Sequence, residues 1–491
     1  MLALSTVFSL LLLCYLVVQF VKLQREVRKF PPGPAPIPII GSLWQLKFFR
    51  LDRKIVTEMA KSYGNIYTLW FGHTPVVVLN GFQAVKDGLT TRPEDVAGRP
   101  LTPFFLAVAN NKGIMLATGR MWKHQRRFSL MTLKSLGLGK TSLEYQIQEE
   151  ASHLVESFAK SEGEPMNPSF ALTLAVSNVV CAVVFGHRFS NDDKTFLHLL
   201  EAMECIFKFL GSLYNTVYDV LPWLMRRLPG PHKKVLACCE EVYSFLRKEI
   251  RSHEGRGASD EPQDFIDCYL AQIEKSKEGP KPAYDIDNLV QCIFDLFLGG
   301  TETSSTTLYW ALLYMAAYPD VQAKVQKEID ATVAPDHRIC YEDRKNLPYT
   351  NAVIHEVQRF SNIVAIGVPR YAIKDIMIQQ FPIKKGTVVL PSIASALHDP
   401  NEWETPQQFN PSHFLDKDGD FTCPEAFVPF SIGNRMCLGD NLARTELFVF
   451  FSNLLKAFSF RFPDGVEDIN MEPIWGGTLQ PHYFEICAEP R

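Results

Sequence analysis

No C-x-x-C pair occurs anywhere in the chain. Its 11 cysteines lie at irregular spacing among 491 residues, an odd count. That argues against a disulfide framework and fits a reducing compartment. An excess of positive charge is missing too. Lys and Arg number 50 against 54 acidic residues, a net charge of −4. No global basic field therefore points to nucleic acid. Charged residues make up 21% and hydrophobic ones 46%, which is ordinary globular usage and excludes disordered, collagenous and polytopic membrane chains. There is no internal repeat, no G-x-G-x-x-G after a strand and no G-x-S-x-G elbow. His355-Glu356-Val357-Gln358-Arg359 starts like a zinc site, but Arg359 stands where a second histidine is needed. Gly139-Lys140-Thr141 ends like a phosphate loop whose required first glycine is Lys134.

A long uncharged hydrophobic run occurs once, at residues 2–21. As a helix it would span about 30 Å, the thickness of a bilayer's hydrocarbon. Lys22, Arg25, Arg28 and Lys29 come directly after it. The expectation is an uncleaved transmembrane anchor with the rest of the chain in the cytosol. A cleaved signal peptide is the rival, and it lacks the basic start and the small-residue cleavage site. Residues 22–41 combine the basic patch with Phe30-Pro31-Pro32-Gly33-Pro34, a stiff hinge that either merely links or sets the orientation of a catalytic domain against the membrane. Residues 42–491 show no interdomain linker and are expected to form a single catalytic domain. Its class is mainly α with a small β portion. A strand pair is expected at 66–71 and 75–80, and helices at 145–160, 193–210, 234–253, 349–360 and 441–460. Residues 252–264 read as a surface loop. The longest helical stretch, 287–318, is apolar on all sides and should be central.

Near the C-terminus stands Phe430-Ser431-Ile432-Gly433-Asn434-Arg435-Met436-Cys437-Leu438-Gly439, directly ahead of an apolar helix. A cysteine there faces free N–H groups and the positive end of the helix dipole, which favours thiolate. Gly433 and Gly439 clear side chains from the path of a flat ligand, and Arg435 can reach an anionic group on it. A buried structural cysteine is the ordinary fate of an isolated Cys. Phe, two Gly, Arg and Cys at these offsets argue otherwise.

The run F-x-x-G-x-R-x-C-x-G resembles the haem-thiolate signature of the cytochromes P-450. With the anchor, basic patch and P-P-G-P hinge, the whole chain is similar to the microsomal family 2 members, and the P-450 fold is implied. The resemblance implies that Cys437 is the axial ligand of haem b iron, where thiolate assists O–O cleavage. It also gives roles to three further groups. Glu356 and Arg359 would form a buried pair locking the cysteine segment, with His413 as third partner where many members have Arg. Gly299-Gly300-Thr301-Glu302-Thr303, on the long helix, would open a groove for O₂ in which Thr303 and Glu302 supply protons; a helix kink with a surface acid is the bland reading. Trp122, Arg126, Arg99, Arg370 and Arg435 would hold the haem propionates.

Lys123, Arg127, Lys134, Lys140 and Arg444 are candidate docking charges for an electron-donating flavoprotein, NADPH-cytochrome P-450 reductase, or a solvated charged face. Cytochrome b5 is left open as a second donor. Phe105, Leu116, Phe294, Leu298, Val364 and Val368 would line an apolar substrate pocket, although several could be plain core. The expected activity is a monooxygenase of the endoplasmic reticulum membrane. It would use O₂, and NADPH indirectly, on a fatty acid (such as a polyunsaturated one), a steroid or a xenobiotic. A haem-thiolate isomerase or dehydratase working without reductase, and a non-enzymatic haem-binding carrier, are the alternatives.

Overall fold

The computed structural model describes residues 2–45, 53–137, 141–256, 262–276, 283–466 and 469–491. Helices dominate. The central one, Ile286–Ala317, starts where the Asp285 carboxylate accepts the Asn288 N–H at 2.7 Å, and stops before Pro319. Its 32 residues span ~48 Å. Because it is apolar on every side, neighbours surround it. The helix Ser169–Phe185, apolar for nearly its whole length, packs along it. Gly300 sets how closely the two approach: a Cβ there would lie 2.8 Å from the Val180 side chain. Helices Thr141–Ala159, Lys194–Leu210, Pro231–Arg256, Pro348–Ser361 and Asp440–Ala457 complete this core.

The largest sheet of the small β portion has four strands. Strands β1 (Ile66–Phe71) and β2 (Thr74–Leu79) form the expected hairpin, with Ile66 opposite Leu79. Strand β4 (Val388–Pro391) lies parallel to β2, and β3 (Arg370–Tyr371) closes the order β1-β2-β4-β3. This sheet has its own apolar layers, separate from the helical core.

Two segments differ from the sequence reading. The helix expected over 441–460 ends at Ala457, and Phe458–Arg461 pair as a strand with Cys487–Pro490. Its alternating burial explains the switch: Phe458 and Phe460 point into the core and Ser459 and Arg461 do not. The loop expected over 252–264 is helical as far as Arg256. There His253 Nε2 meets a buried Asp264 carboxylate at 3.0 Å; residues 257–261 lie outside the described residues. The proline-rich hinge runs along β1. Thr68 donates through its amide to Pro32 O at 2.8 Å and through its hydroxyl to Pro31 O at 2.9 Å. Gly33 runs so close to β1 that a Cβ would sit 2.0 Å from Thr68 O.

The N-terminal helix covers Leu2–Val27. Among the described residues, no helix is long and apolar enough to cross a membrane. Val7, Leu10, Leu11, Leu13, Val17 and Val18 of this helix are nevertheless exposed.

Candidate functional site

The loop 430–439 is folded by its own backbone. Ser431 N–H donates to Val428 O at 2.9 Å, Met436 N–H to Gly433 O at 3.0 Å and Cys437 N–H to Phe430 O at 2.9 Å. Gly433 has φ +75°, and a Cβ there would lie 2.3 Å from Leu89 O, so glycine is required twice over. Gly439 caps the helix Asp440–Ala457, two residues beyond Cys437. Cys437 is exposed and lines a cavity between the loop and the central helix. Burial, the largest influence, pushes its thiol up; Asp440 adds to this, and the Gly439 N–H and the charges of Arg126 and Arg444 oppose it. The helix terminus alone therefore does not outweigh desolvation. A cation at the sulfur would, because a coordinating thiol loses its proton.

That cavity, together with the open solvent at its mouth, takes up about 1800 Å³. One wall is cationic. Arg435 donates to Ala97 O at 2.7 Å and Ala117 O at 2.6 Å, with its guanidinium 3.9 Å from the Trp122 ring centre. Arg99 donates to Val368 O and Pro369 O, both at 2.8 Å. Arg370 reaches Ser431 Oγ at 2.9 Å, and Arg126 reaches Met436 O at 2.7 Å. Burial and mutual repulsion pull Arg370 down to about 10 and Arg435 to about 9, and lower Arg99; burial lowers Arg126 as well. Among the described residues no carboxylate forms a salt bridge with any of the four. Two buried donors, Trp122 Nε1 and Arg370 Nε, have no partner among the described residues. Buried cations without counter-ions and orphaned N–H groups are costly on their own. They fit a ligand that brings carboxylates, as the propionates of haem do.

The central helix forms another wall, through Leu296, Gly299, Thr303, Ser304 and Thr307. Nothing lies within 4 Å of a Cβ built on Gly299, so that position opens onto space. Thr303 Oγ1 donates to Gly299 O at 2.5 Å, the i,i+4 bond its spacing predicts, and the helix continues through it. Glu302 is buried and points elsewhere: its carboxylate accepts from Gln480 Nε2 and from Thr478 Oγ1. Burial raises its pKa, and the Gln480 bond works against that rise. It does not line the cavity.

The Cytochrome P450 family profile matches residues 31–488. The chain belongs to the cytochrome P450 family. It is 40% identical to Cytochrome P450 2J2 of Homo sapiens over 476 residues, covering 97% of this chain and 94% of that protein. Identity to Cytochrome P450 2J5 of Mus musculus is also 40%, over 472 residues, 95% and 93% of the two chains. With Cytochrome P450 2C8 of Homo sapiens it is 39% over 487 residues, 98% and 99%. The protein is thus a family 2-like P450 monooxygenase, a class that works through haem with a cysteine thiolate.

The remaining sequence-marked residues distribute unevenly in this P450. Glu356 and Arg359 have no exposed side-chain surface and bind through two 2.7 Å contacts. His413 Nδ1 lies 3.3 Å from Glu356 Oε2. Val364 and Val368 line the cavity. Phe105, Leu116, Phe294 and Leu298 are not among its lining residues. Phe294 instead packs on Tyr243, 5.1 Å between ring centres, and Leu116 and Leu298 are buried. Val180, Val183, Val184, Met115 and Ile363 stand in the wall in their place. Of the docking charges, Lys123 pairs with Glu94 at 3.1 Å, and Arg127 and Lys134 are exposed. Arg444 is turned inward, onto Asp440 at 2.6 Å and over the Phe430 ring at 4.9 Å. Lys140 lies outside the described residues.

Sequence reasoning missed two acids. Asp295 accepts the amides of Ile114 and Met115 at 2.7 and 2.8 Å, tying that segment to the central helix. Glu446 sits in the cavity wall. Each is a lone acid within an apolar helical run, which was the available signal.

Proposed function

We propose that this P450 inserts one atom of O₂ into a lipophilic substrate, with electrons from NADPH passed on by a flavoprotein reductase. The observation that carries this reading is one cavity, walled in large part by aliphatic side chains, that brings together Cys437, Thr303 and four arginines to which the described residues offer no salt bridge. Haem, when bound, supplies the oxygen-activating chemistry. Cys437 would ligate its iron through sulfur. Arg99, Arg126, Arg370 and Arg435 would neutralise its carboxylates, and Trp122 Nε1 and Arg370 Nε would donate the hydrogen bonds they now lack.

Thr303 gives its own proton to Gly299 O, so its oxygen is left to accept one from an incoming water. It would thereby hold a proton carrier in place on the central-helix wall. Glu302, bonded to Gln480 and Thr478, would fix the helix beside it. Val180, Val183, Val184, Ile363, Val364 and Val368 would orient an apolar substrate by burial, at roughly 25 cal/mol per Å² removed from water. Such walls suit fatty acids, steroids and lipophilic foreign compounds alike. The exposed apolar row of the N-terminal helix, with Lys22, Arg25, Arg28 and Lys29 beyond it, supports attachment to the endoplasmic reticulum membrane. Lys123, Arg127 and Lys134 offer charge for an acidic reductase surface, and cytochrome b5 could dock by the same chemistry.

The test is Cys437→Ser in the full-length, haem-supplemented protein. The reduced carbon-monoxide complex should lose its red-shifted Soret band, and NADPH-dependent product formation should stop. Retention of the band would remove Cys437 as ligand.

A further inference from the structure

Glu446 is 1% exposed, in a helix whose next residues, Leu447 to Ser452, are all buried. Its Oε2 accepts a hydrogen bond from Ser304 Oγ at 2.7 Å, across from the central helix. Its Oε1 is buried and, among the described residues, has no partner. Among the described residues no cation forms a salt bridge with it. Yet both Glu446 and Ser304 line the cavity, as does Thr303, next to Ser304 in sequence. A bare carboxylate in these surroundings would be a buried charge without compensation. A neutral carboxyl is not, because its second oxygen carries the proton. Burial pushes the group up to about 8, partly offset by the Ser304 bond.

We propose that Glu446 is a proton source for the monooxygenase reaction, holding its proton on Oε1 and releasing it into the cavity on the Ser304–Thr303 side. This rests on the monooxygenase reading. That reaction joins substrate, O₂, two electrons and two protons to give hydroxylated product and water, so protons must enter a dry site. In the step assigned to Glu446, the carboxyl O–H bond breaks and the proton passes to a cavity water. The electron pair stays on Oε1. Solvent protons restore the acid between turnovers. Ser304 is a positioning residue, since it fixes the carboxyl through Oε2.

The experiment uses full-length holoenzyme reconstituted with reductase, comparing wild type, Glu446→Gln, Glu446→Asp and Ser304→Ala. Glutamine keeps the shape and an oxygen for Ser304 but cannot release a proton. Infrared spectra at neutral pH should show a carboxylic-acid C=O absorption that Glu446→Gln removes and Ser304→Ala shifts. Product formed per NADPH should fall at least about tenfold in Glu446→Gln, with peroxide released instead, and recover substantially in Glu446→Asp. A purely structural role would leave coupling intact in Glu446→Gln. An infrared spectrum unchanged by the glutamine, or unchanged coupling in both Glu446→Gln and Ser304→Ala, overturns the proposal. A wild type without the red-shifted Soret band would instead defeat the monooxygenase reading itself.

Discussion

Replacing Arg359 by Met should remove most of this protein's stability margin. The five N–H donors of its guanidinium are all used. Nε and Nη2 bind the two oxygens of Glu356 at 2.7 Å; Nη1 binds Leu397 O and Pro406 O at 3.0 Å; Nη2 also binds Gln408 O at 2.8 Å. Methionine fills similar volume and supplies none of these. Glu356 would remain as a buried charge whose surviving partners are the Asn410 amide and His413, and breaking such a pair costs about 3–5 kcal/mol. The buried Leu397 carbonyl would lose a partner at ~1–3 kcal/mol, and the less buried Pro406 and Gln408 carbonyls would lose theirs at smaller cost. Against a usual margin of about 5–15 kcal/mol, the Met variant should not hold haem at 25 °C. Arg359→Lys keeps one charge and three donors and should fall between. Adding Glu356→Gln to Arg359→Met should recover part of the loss, because the unpaired charge disappears. Urea denaturation of the holoenzyme, monitored by Soret absorbance, measures each. An Arg359→Met protein within about 1 kcal/mol of wild type would refute the reasoning.

Two further outcomes are expected. Gly433→Ala places a methyl 2.3 Å from Leu89 O and forces φ +75° on a residue with a Cβ, which by itself costs roughly 1–2 kcal/mol. Haem bound per protein should drop sharply, and full occupancy would show that the loop gives way freely. His355 is the second. Arg444 donates to its Nε2 at 3.1 Å, so Nδ1 carries the proton given to Asn351 O at 2.8 Å. Burial first, then Arg444, lowers its pKa to about 3, against the Asn351 bond. The unfolded chain, near 6.5, takes up the proton first. Stability should therefore be complete above about pH 6.5 and decline as pH falls toward 3, by an amount on the order of 4–5 kcal/mol. His355→Gln should flatten that part of the pH profile, and an unchanged slope would assign the loss to other groups.

Local sequence decided a good deal. The thiolate loop was legible because its constraints are covalent and short-range: Gly433 at positive φ, Cys437 held by Phe430 O, and a helix starting at Asp440 are set within about ten residues. The helix periods and the β1–β2 hairpin were legible for the same reason. What required the tertiary structure was direction. Glu302 and Thr303 are neighbours in the chain, yet one turns to Gln480 and the other into the cavity, and only the packing of the central helix chooses between them. Phe294 and Leu298 looked like pocket residues and became core, because apolarity says that a side chain is buried but not against what. Phe458 left its helix for a strand whose partner lies some thirty residues on. The mutual crowding of Arg99, Arg126, Arg370 and Arg435 likewise arises only when segments hundreds of residues apart are brought to one wall, since charge acts through space and not along the chain.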